Sequence, residues 1–142
     1  MKNKIIYLCL FFCVAFSFKN DAQSKIINSG WQFVLGDKTS ENWQTVNMPH
    51  TWNKDDAFDD EKGYHRGVGW YKKQLFFSAE SSKLEHYLHF KGVNQETDVY
   101  VNGHHIGNHK GGYTAFNFNI SKYIVRFCIR WILCRLLSCF RR

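Results

Sequence analysis

The feature that most constrains this chain is a series of short segments in which apolar and polar side chains alternate. It is clearest in TAFNFNIS (114–121), where Phe116, Phe118 and Ile120 are separated by polar residues. A repeat of two is that of a β-strand with one buried face. The pattern recurs in WYKKQLFF (70–77), HYLHFKGV (86–93) and DVYV (98–101), and further strands are predicted in GWQFVL (30–35) and TVNMPHTW (45–52). Turn residues separate these segments about every ten residues, which is typical of an antiparallel β-sandwich.

The segment DVYVNGHHIGNHKGGYTAF (98–116) contains three histidines, four glycines and a lysine, so a metal site and a phosphate loop both have to be considered. Asn102-Gly103 predicts a two-residue hairpin turn, because a type I′ turn needs positive φ at both central residues. His104 and His105 would then lie on opposite faces of a strand and could not share a metal ion. Lys110 precedes its glycines and a strand follows, whereas a phosphate loop ends in Gly-Lys-Ser/Thr ahead of a helix. We therefore predict turns and neither kind of site.

The charge of the chain is concentrated at its ends. The formal net charge is +7, yet residues 23–124 carry eleven basic and eleven acidic side chains. The five cysteines also lie outside this interval. A balanced domain lacks the basic surface that binds nucleic acid, and without cysteine it holds no disulfide and no thiolate metal site. We expect no nucleic-acid partner and no cofactor.

The two ends differ from the rest in composition. In residues 1–22 a short basic start, an apolar run of fourteen residues and a polar exit near Ala22 predict a cleaved secretory signal, with an uncleaved anchor as the alternative. Residues 125–142 are rich in arginine and cysteine and, tested as a helix, have neither an amphipathic nor a membrane-spanning pattern. We interpret 125–142 as an aberrant tail that follows loss of the original reading frame. A basic membrane-binding tail is the alternative, and the predicted domain is 23–124.

Several motifs in order resemble one known family. GVGWYKKQLFF (67–77) is followed by LHFKGVNQETDVYVNGHHIGNHKGGYTAFNFNIS (88–121), and GWQFVLGD (30–37) with WQTVNMPHTWN (43–53) precedes both. Together they resemble the amino-terminal sugar-binding domain of glycoside hydrolase family 2, which includes β-galactosidases, β-glucuronidases and β-mannosidases. The resemblance covers about 27–124 and implies an all-β, jelly-roll (galactose-binding-like) antiparallel β-sandwich.

The resemblance also implies where catalysis belongs. In that family two glutamates on a separate (β/α)₈ barrel cleave the glycosidic bond with retention, which needs carboxyl groups about 5 Å apart. We therefore expect no catalytic residue in this chain, which in the parent enzyme would pack on its own barrel. The family pattern also has a further strand after ISKYI (120–124), where this chain has VRFCIRWILC. The sandwich is thus expected to be incomplete at its carboxyl-terminal end, with an unpaired edge.

The acidic segment NKDDAFDDEKGYHRG (53–67) holds the candidate binding residues. A solvated loop is the simpler interpretation of such a charged run. By resemblance, loops of this domain reach the mouth of the barrel and shape the sugar pocket, and carboxylates accept paired hydrogen bonds from neighbouring hydroxyls. The candidates for this substrate-binding rim are Asp59, Asp60, Tyr64 and Arg66.

Other conspicuous side chains are given structural roles. Four tryptophans could stack on sugar rings, but their positions on strands favour packing: Trp31, Trp43, Trp52 and Trp70. Lys72 and Lys73 should lie on opposite faces of one strand. His50, next to Pro49 at an edge or end of a strand, is predicted to be a hydrogen-bonded histidine and not an acid or base.

Three functions remain to be compared. The first is an exported, periplasmic or secreted, fragment of a family 2 glycosidase, most like a β-galactosidase and inert alone. The second is a free-standing carbohydrate-binding module, and the third is a small membrane-associated protein. We expect carbohydrate of the β-galactoside type to bind weakly or not at all, and no membrane partner.

Overall fold

The computed structural model describes residues 22–52, 67–126 and 128–138. In these ranges the chain forms strands joined by loops, with short 3-10 turns at Ser81–Lys83 and Ser121–Tyr123. The strands are β1 Trp31–Leu35, β2 Gln44–Val46, β3 Gly67–Phe76, β4 Tyr87–Phe90, β5 Glu96–Val101, β6 His104–Lys110, β7 Phe116–Asn119 and β8 Cys128–Ser138. No helix within these ranges has the length and apolar character to cross a membrane.

The strands form two antiparallel sheets. The larger has six strands in the order β2-β1-β3-β8-β5-β6, and the smaller pairs β4 with β7. Phe118 of β7 lies directly over Gly107 of β6, where an added Cβ would come within 2.1 Å of the ring. The all-β antiparallel sandwich predicted from the sequence is confirmed. Gly107 lies within β6 and makes room for the opposing sheet.

The hairpin between β5 and β6 forms as predicted. Val101 pairs with His104 across a two-residue turn, in which Asn102 and Gly103 have φ of 51° and 85°. Both values are positive, as a type I′ turn requires, and Asn and Gly are the residues that adopt them at least cost.

The arginine- and cysteine-rich stretch is where the structure differs most from expectation. Cys128–Ser138 is not a tail outside the sandwich: it forms β8, hydrogen-bonded between β3 and β5 in the larger sheet. The strand that we expected to be missing is therefore present at that position. As a helix the stretch has no single apolar face, and as a strand its period-two pattern is interrupted by a bulge. As a strand it places Ile132 and Cys134 inside and Arg135 on the other face. The proposed change of reading frame stays a prediction.

A bulge in β8 brings a second isoleucine into the core. Ile129 pairs with Leu75 and Ile132 with Lys73, so three residue steps on β8 lie opposite two on β3. The extra residue lets both isoleucines face the core, while Arg130 and Trp131 between them are exposed. Asn102 supports the bulge: its backbone N–H donates to the Trp131 carbonyl at 2.9 Å, and its side-chain oxygen accepts from the Trp131 N–H at 3.2 Å.

The core lies between the six-stranded sheet and the elements that cover its inner face. Val99, Val101, Ile129 and Ile132 are fully buried there. Cys134 is buried with them, and this burial raises the pKa of its thiol to about 12, so the thiol stays protonated and packs as an apolar group. The described members of the core cluster are Trp31, Phe33, Tyr71, Leu88, Val99, Val101, Ile120, Ile129, Ile132 and Cys134.

Candidate functional site

The predicted rim residues lie outside the described part of the chain. Asp59, Asp60, Tyr64 and Arg66 all belong to 53–66, which the structure does not describe. Their assignment to substrate binding therefore stays a prediction. The described chain stops at Trp52 and resumes at Gly67, the first residue of β3.

A cavity of about 300 Å³ lies between the β1–β2 edge of the inner face and the segment 50–52. Its described lining residues are Phe33, Val34, Leu35, Asn42, Gln44, His50, Thr51 and Trp52. Gln44 pairs with Phe33 across β2 and β1, and directly paired residues of antiparallel strands share a face. The cavity thus has polar residues on the edge strand and aromatic rings beside them.

The aromatic part of the cavity depends on a glycine. The rings of Phe33 and Trp52 are stacked, with centroids 5.8 Å apart and planes 8° from parallel. A Cβ added to Gly69 would lie 2.6 Å from Cζ3 of Trp52 and 3.0 Å from Cε2 of Phe33. Glycine at this point of β3 therefore lets Trp52 settle on the sheet. The indole N–H of Trp52 is buried and has no hydrogen-bond partner among the described residues.

The histidine of the cavity is fixed by a tyrosine of the core. His50 Nδ1 and the Tyr71 hydroxyl are hydrogen-bonded at 2.8 Å, and the His50 ring also packs on Phe33 with centroids 4.8 Å apart. Burial lowers the pKa of His50 below its ordinary value of 6.5 and raises the pKa of Tyr71 above its ordinary value of 10.0. Both groups are thus neutral at pH 7. His50 is the hydrogen-bonded histidine that the sequence predicted.

The outer face of the six-stranded sheet carries a lysine packed between tryptophan rings. The ammonium of Lys72 lies 3.7 Å from the ring centroid of Trp43 and 5.1 Å from that of Trp131. Desolvation between the rings lowers the pKa of Lys72. Lys73, on the other face, donates to the Ser29 carbonyl and lies 5.9 Å from the Trp31 ring. The two lysines therefore lie on opposite faces, as predicted.

Two acidic side chains of the outer face are paired with basic residues. Asp98 contacts His105 at 3.0 Å and Arg135 at 3.6 Å, and Glu96 contacts Lys110 at 3.2 Å. The amide of Asn108 donates to both carboxylates, at 3.1 Å for Asp98 and 3.3 Å for Glu96. These two carboxylates stand side by side on one strand in an exposed network, and they do not face each other across a cleft as a glycosidase pair does.

The four tryptophans have four different surroundings. Trp31 is buried in the core, as predicted, and Trp70 is buried on the outer face, where its indole N–H donates to the Gly36 carbonyl at 3.1 Å. Trp43 packs on Lys72. Trp52 is partly buried against the core and lines the cavity.

No metal site is apparent in the described ranges, where no group of three or more His, Cys, Asp or Glu side chains comes together. His104 packs near Tyr123 and His105 against Asp98, so the two histidines lie on opposite faces of β6, as predicted. His109 stacks on Phe116 and bonds to Thr114.

The sequence and the fold match a known family over most of the chain. Residues 15–136 match the family described as glycosyl hydrolases family 2, sugar binding domain. The chain belongs to this family. The match extends through most of β8, in agreement with the position of that strand in the sheet.

Similar proteins of this family are much longer than this chain. It is 37% identical over 122 residues to a β-glucuronidase of Bacteroides fragilis, which covers 86% of this chain and 17% of that protein. It is 38% identical over 100 residues to a β-galactosidase of Thermoanaerobacter pseudethanolicus, covering 69% of this chain and 13% of that protein. The crystal structure of a Bacteroides uniformis β-glucuronidase superposes with a TM-score of 0.74 at 31% identity, over 84% of this chain and 15% of that one. The chain thus spans less than a fifth of the length of these relatives.

The cavity includes residues that the sequence analysis did not select. Asn42 and Gln44 are ordinary polar residues of a loop and an edge strand, and no motif distinguishes them. Trp52 was considered as a stacking platform, and its place after the Pro49-His50 pair was the one available indication. What brings the three together is the return of segment 50–52 onto β1, a long-range contact.

Proposed function

We propose that this chain is the sugar-binding domain of an exported family 2 β-glycosidase, and that it supports hydrolysis only together with a catalytic domain. The observation that carries the proposal is the family match over residues 15–136, combined with the small share of each relative that the chain covers. Relatives named β-glucuronidase and relatives named β-galactosidase are both similar to it. The parent enzyme would accordingly act on a β-galactoside or a β-glucuronide.

The described acids support the idea that the domain is inert alone. Retaining hydrolysis needs one carboxyl group that donates a proton and a second that attacks the anomeric carbon from the other side. Glu96 and Asp98 are held in ion pairs on the exposed outer face, and they do not form such a pair of proton donor and nucleophile. Hydrolysis would then depend on carboxyl groups of another domain.

A domain exchange tests the proposal. Residues 23–138 of this chain would replace the corresponding domain of the Bacteroides fragilis β-glucuronidase, and hydrolysis of a chromogenic β-glucuronide would be followed. We expect the purified 142-residue chain to be inactive on chromogenic glucuronides and galactosides, and the chimera to be active. A folded but inactive chimera, or hydrolysis by the chain alone, would contradict the proposal. A chimera carrying Ile132→Asp, which breaks the sandwich, is the negative control.

Export is proposed from residues 1–22 and needs its own test. Fusing these residues to alkaline phosphatase, whose disulfides form only outside the cytoplasm, should give an active reporter in a Gram-negative host. The fusion with Lys2→Glu and Lys4→Glu should be exported less, because the basic start of the signal is lost. Equal reporter activity with and without residues 1–22 would rule out the signal.

A further inference from the structure

We propose that the cavity between the β1–β2 edge and segment 50–52 binds a single neutral pyranose. This inference rests on the proposed sugar-binding function and adds to it the site, the contact residues and the class of sugar. It concerns a site within this domain and does not depend on which glycoside the parent enzyme cleaves.

The size of the cavity sets the size of the ligand. Its volume of about 300 Å³ is at the low end of small-molecule sites, which are roughly 300–1,000 Å³. It is formed where the smaller sheet does not extend, since β7 contacts β6 at the opposite edge of the six-stranded sheet. A monosaccharide fits such a space, and a longer glycan would extend into solvent.

The walls of the cavity match the two kinds of surface on a pyranose. Phe33 is a buried core residue, so the apolar surface available to a ligand is that of Trp52, which is partly buried and stacked on Phe33. Aromatic rings pack well on the C–H face of a sugar. The side chains of Asn42 and Gln44 lie beside them and are exposed. An amide both donates and accepts hydrogen bonds, as neighbouring hydroxyl groups do. A pyranose needs both an apolar ring for its C–H face and amides for its hydroxyl groups, and the cavity has both.

The charge of the described lining residues selects against an acidic sugar. None of the described lining residues is a lysine or an arginine. Burial lowers the pKa of His50, so the ring is neutral at pH 7, and its Nδ1 is hydrogen-bonded to Tyr71. Lys72 lies on the outer face between Trp43 and Trp131, and Lys73 is bonded to the Ser29 carbonyl. A uronate carboxylate in the cavity would lose hydration without gaining a cationic partner among the described lining residues, and this is costly.

Titrations of the purified 142-residue chain test the inference. Binding of methyl β-D-galactopyranoside and of methyl β-D-glucuronide would be followed by tryptophan fluorescence and by calorimetry at neutral pH. We expect a millimolar Kd for the neutral sugar and at least about tenfold weaker binding of the uronate, because its carboxylate is desolvated unpaired. Equal or tighter binding of the uronate would overturn the selectivity.

Single substitutions locate the site. Gln44→Ala and Asn42→Ala should each weaken galactoside binding roughly two- to tenfold, the effect of one lost hydrogen bond. Trp52→Ala should abolish detectable binding. Gln32→Ala is the matched control, because Gln32 is on β1 but pairs with Lys72 and Thr45 on the outer face. The Gln32→Ala variant should bind galactoside as the unmodified chain does. Circular dichroism would verify that each variant is folded.

The outcomes separate this inference from the proposed function. If galactoside binding persists unchanged in Gln44→Ala, Asn42→Ala and Trp52→Ala, the sugar binds elsewhere and the inference is wrong, while the proposed function stands. If the folded chain binds neither glycoside but the chimera is active, the inference is again wrong and the function stands. If the chain binds as expected but the folded chimera is inactive, the cavity assignment survives and the role in hydrolysis does not.

Discussion

The inner face of the six-stranded sheet is covered in two different ways. Over β5 and β6 the cover is a paired strand, β7, and the side chains beneath it, such as Val99 and Val101, are fully buried and apolar. Over β1 the cover is the short segment 50–52, and beneath it lie stacked rings, a neutral histidine and a cavity. The first region contributes stability. In the second region the described cover leaves a cavity of about 300 Å³ against the sheet.

Ile132→Ala should cause the largest loss of stability, because it creates a cavity in the closely packed region. Ile132 is fully buried on β8, and such truncations cost about 2–5 kcal/mol in the free energy of unfolding. Urea denaturation measures the loss. Arg130→Ala, on the exposed part of the bulge, is the control and should change stability by less than about 0.5 kcal/mol. Equal stability of both variants would mean that β8 is not part of the core.

A pair of glycine substitutions compares the two covers directly. Gly107→Ala places a methyl group 2.1 Å from Phe118, which is held in the paired strand β7, and should cost about 1–3 kcal/mol by overpacking. Gly69→Ala places one 2.6 Å from Trp52, which lies outside the strands, so it should cost less stability but weaken galactoside binding. Urea denaturation and the sugar titration check the two halves of this prediction. A larger loss of stability in Gly69→Ala than in Gly107→Ala would contradict the comparison.

Substitutions on the outer face should change the free energy of unfolding less than substitutions in either inner region. Lys72→Met removes the charge between Trp43 and Trp131 and keeps most of the aliphatic side chain, so it should cost about 0.5–1 kcal/mol, the value of an exposed cation–π contact. Lys83→Met, in an exposed 3-10 turn, is the control and should be neutral. Sugar binding should be unchanged in both variants, because Lys72 is not on the cavity side of the sheet.

The smallest effect should be a pH dependence that originates at His50. Its pKa is lowered by burial, so the folded state prefers the neutral ring. Above the ordinary pKa of 6.5 this contribution to stability is fully present, and it is lost as the pH falls through the lowered pKa, since the unfolded chain takes up the proton first. The urea midpoint should fall between about pH 7 and about pH 5.5. His50→Asn should show a smaller fall, and an identical fall in both proteins would exclude His50 as the source.

Local patterns predicted the strands, and long-range contacts explain what they missed. The alternation in 70–77 and 98–101 and the Asn102-Gly103 turn correspond to β3, β5 and the hairpin, because each depends on neighbours in sequence. β8 was missed because its bulge interrupts the period-two pattern and its arginines lie on an outer face that accepts charge. The cavity could not be predicted, because it exists only where segment 50–52 returns to β1.

Mapping the bound sugar by NMR is the most direct test of the account. In a ¹H–¹⁵N titration of the 142-residue chain with methyl β-D-galactopyranoside, the side-chain amides of Asn42 and Gln44 and the indole N–H of Trp52 should shift together with one saturation curve. The indole signals of Trp43 and Trp131 on the outer face should stay in place. Shifts confined to the outer face, or none at saturating sugar in a folded sample, would contradict a sugar site beneath segment 50–52.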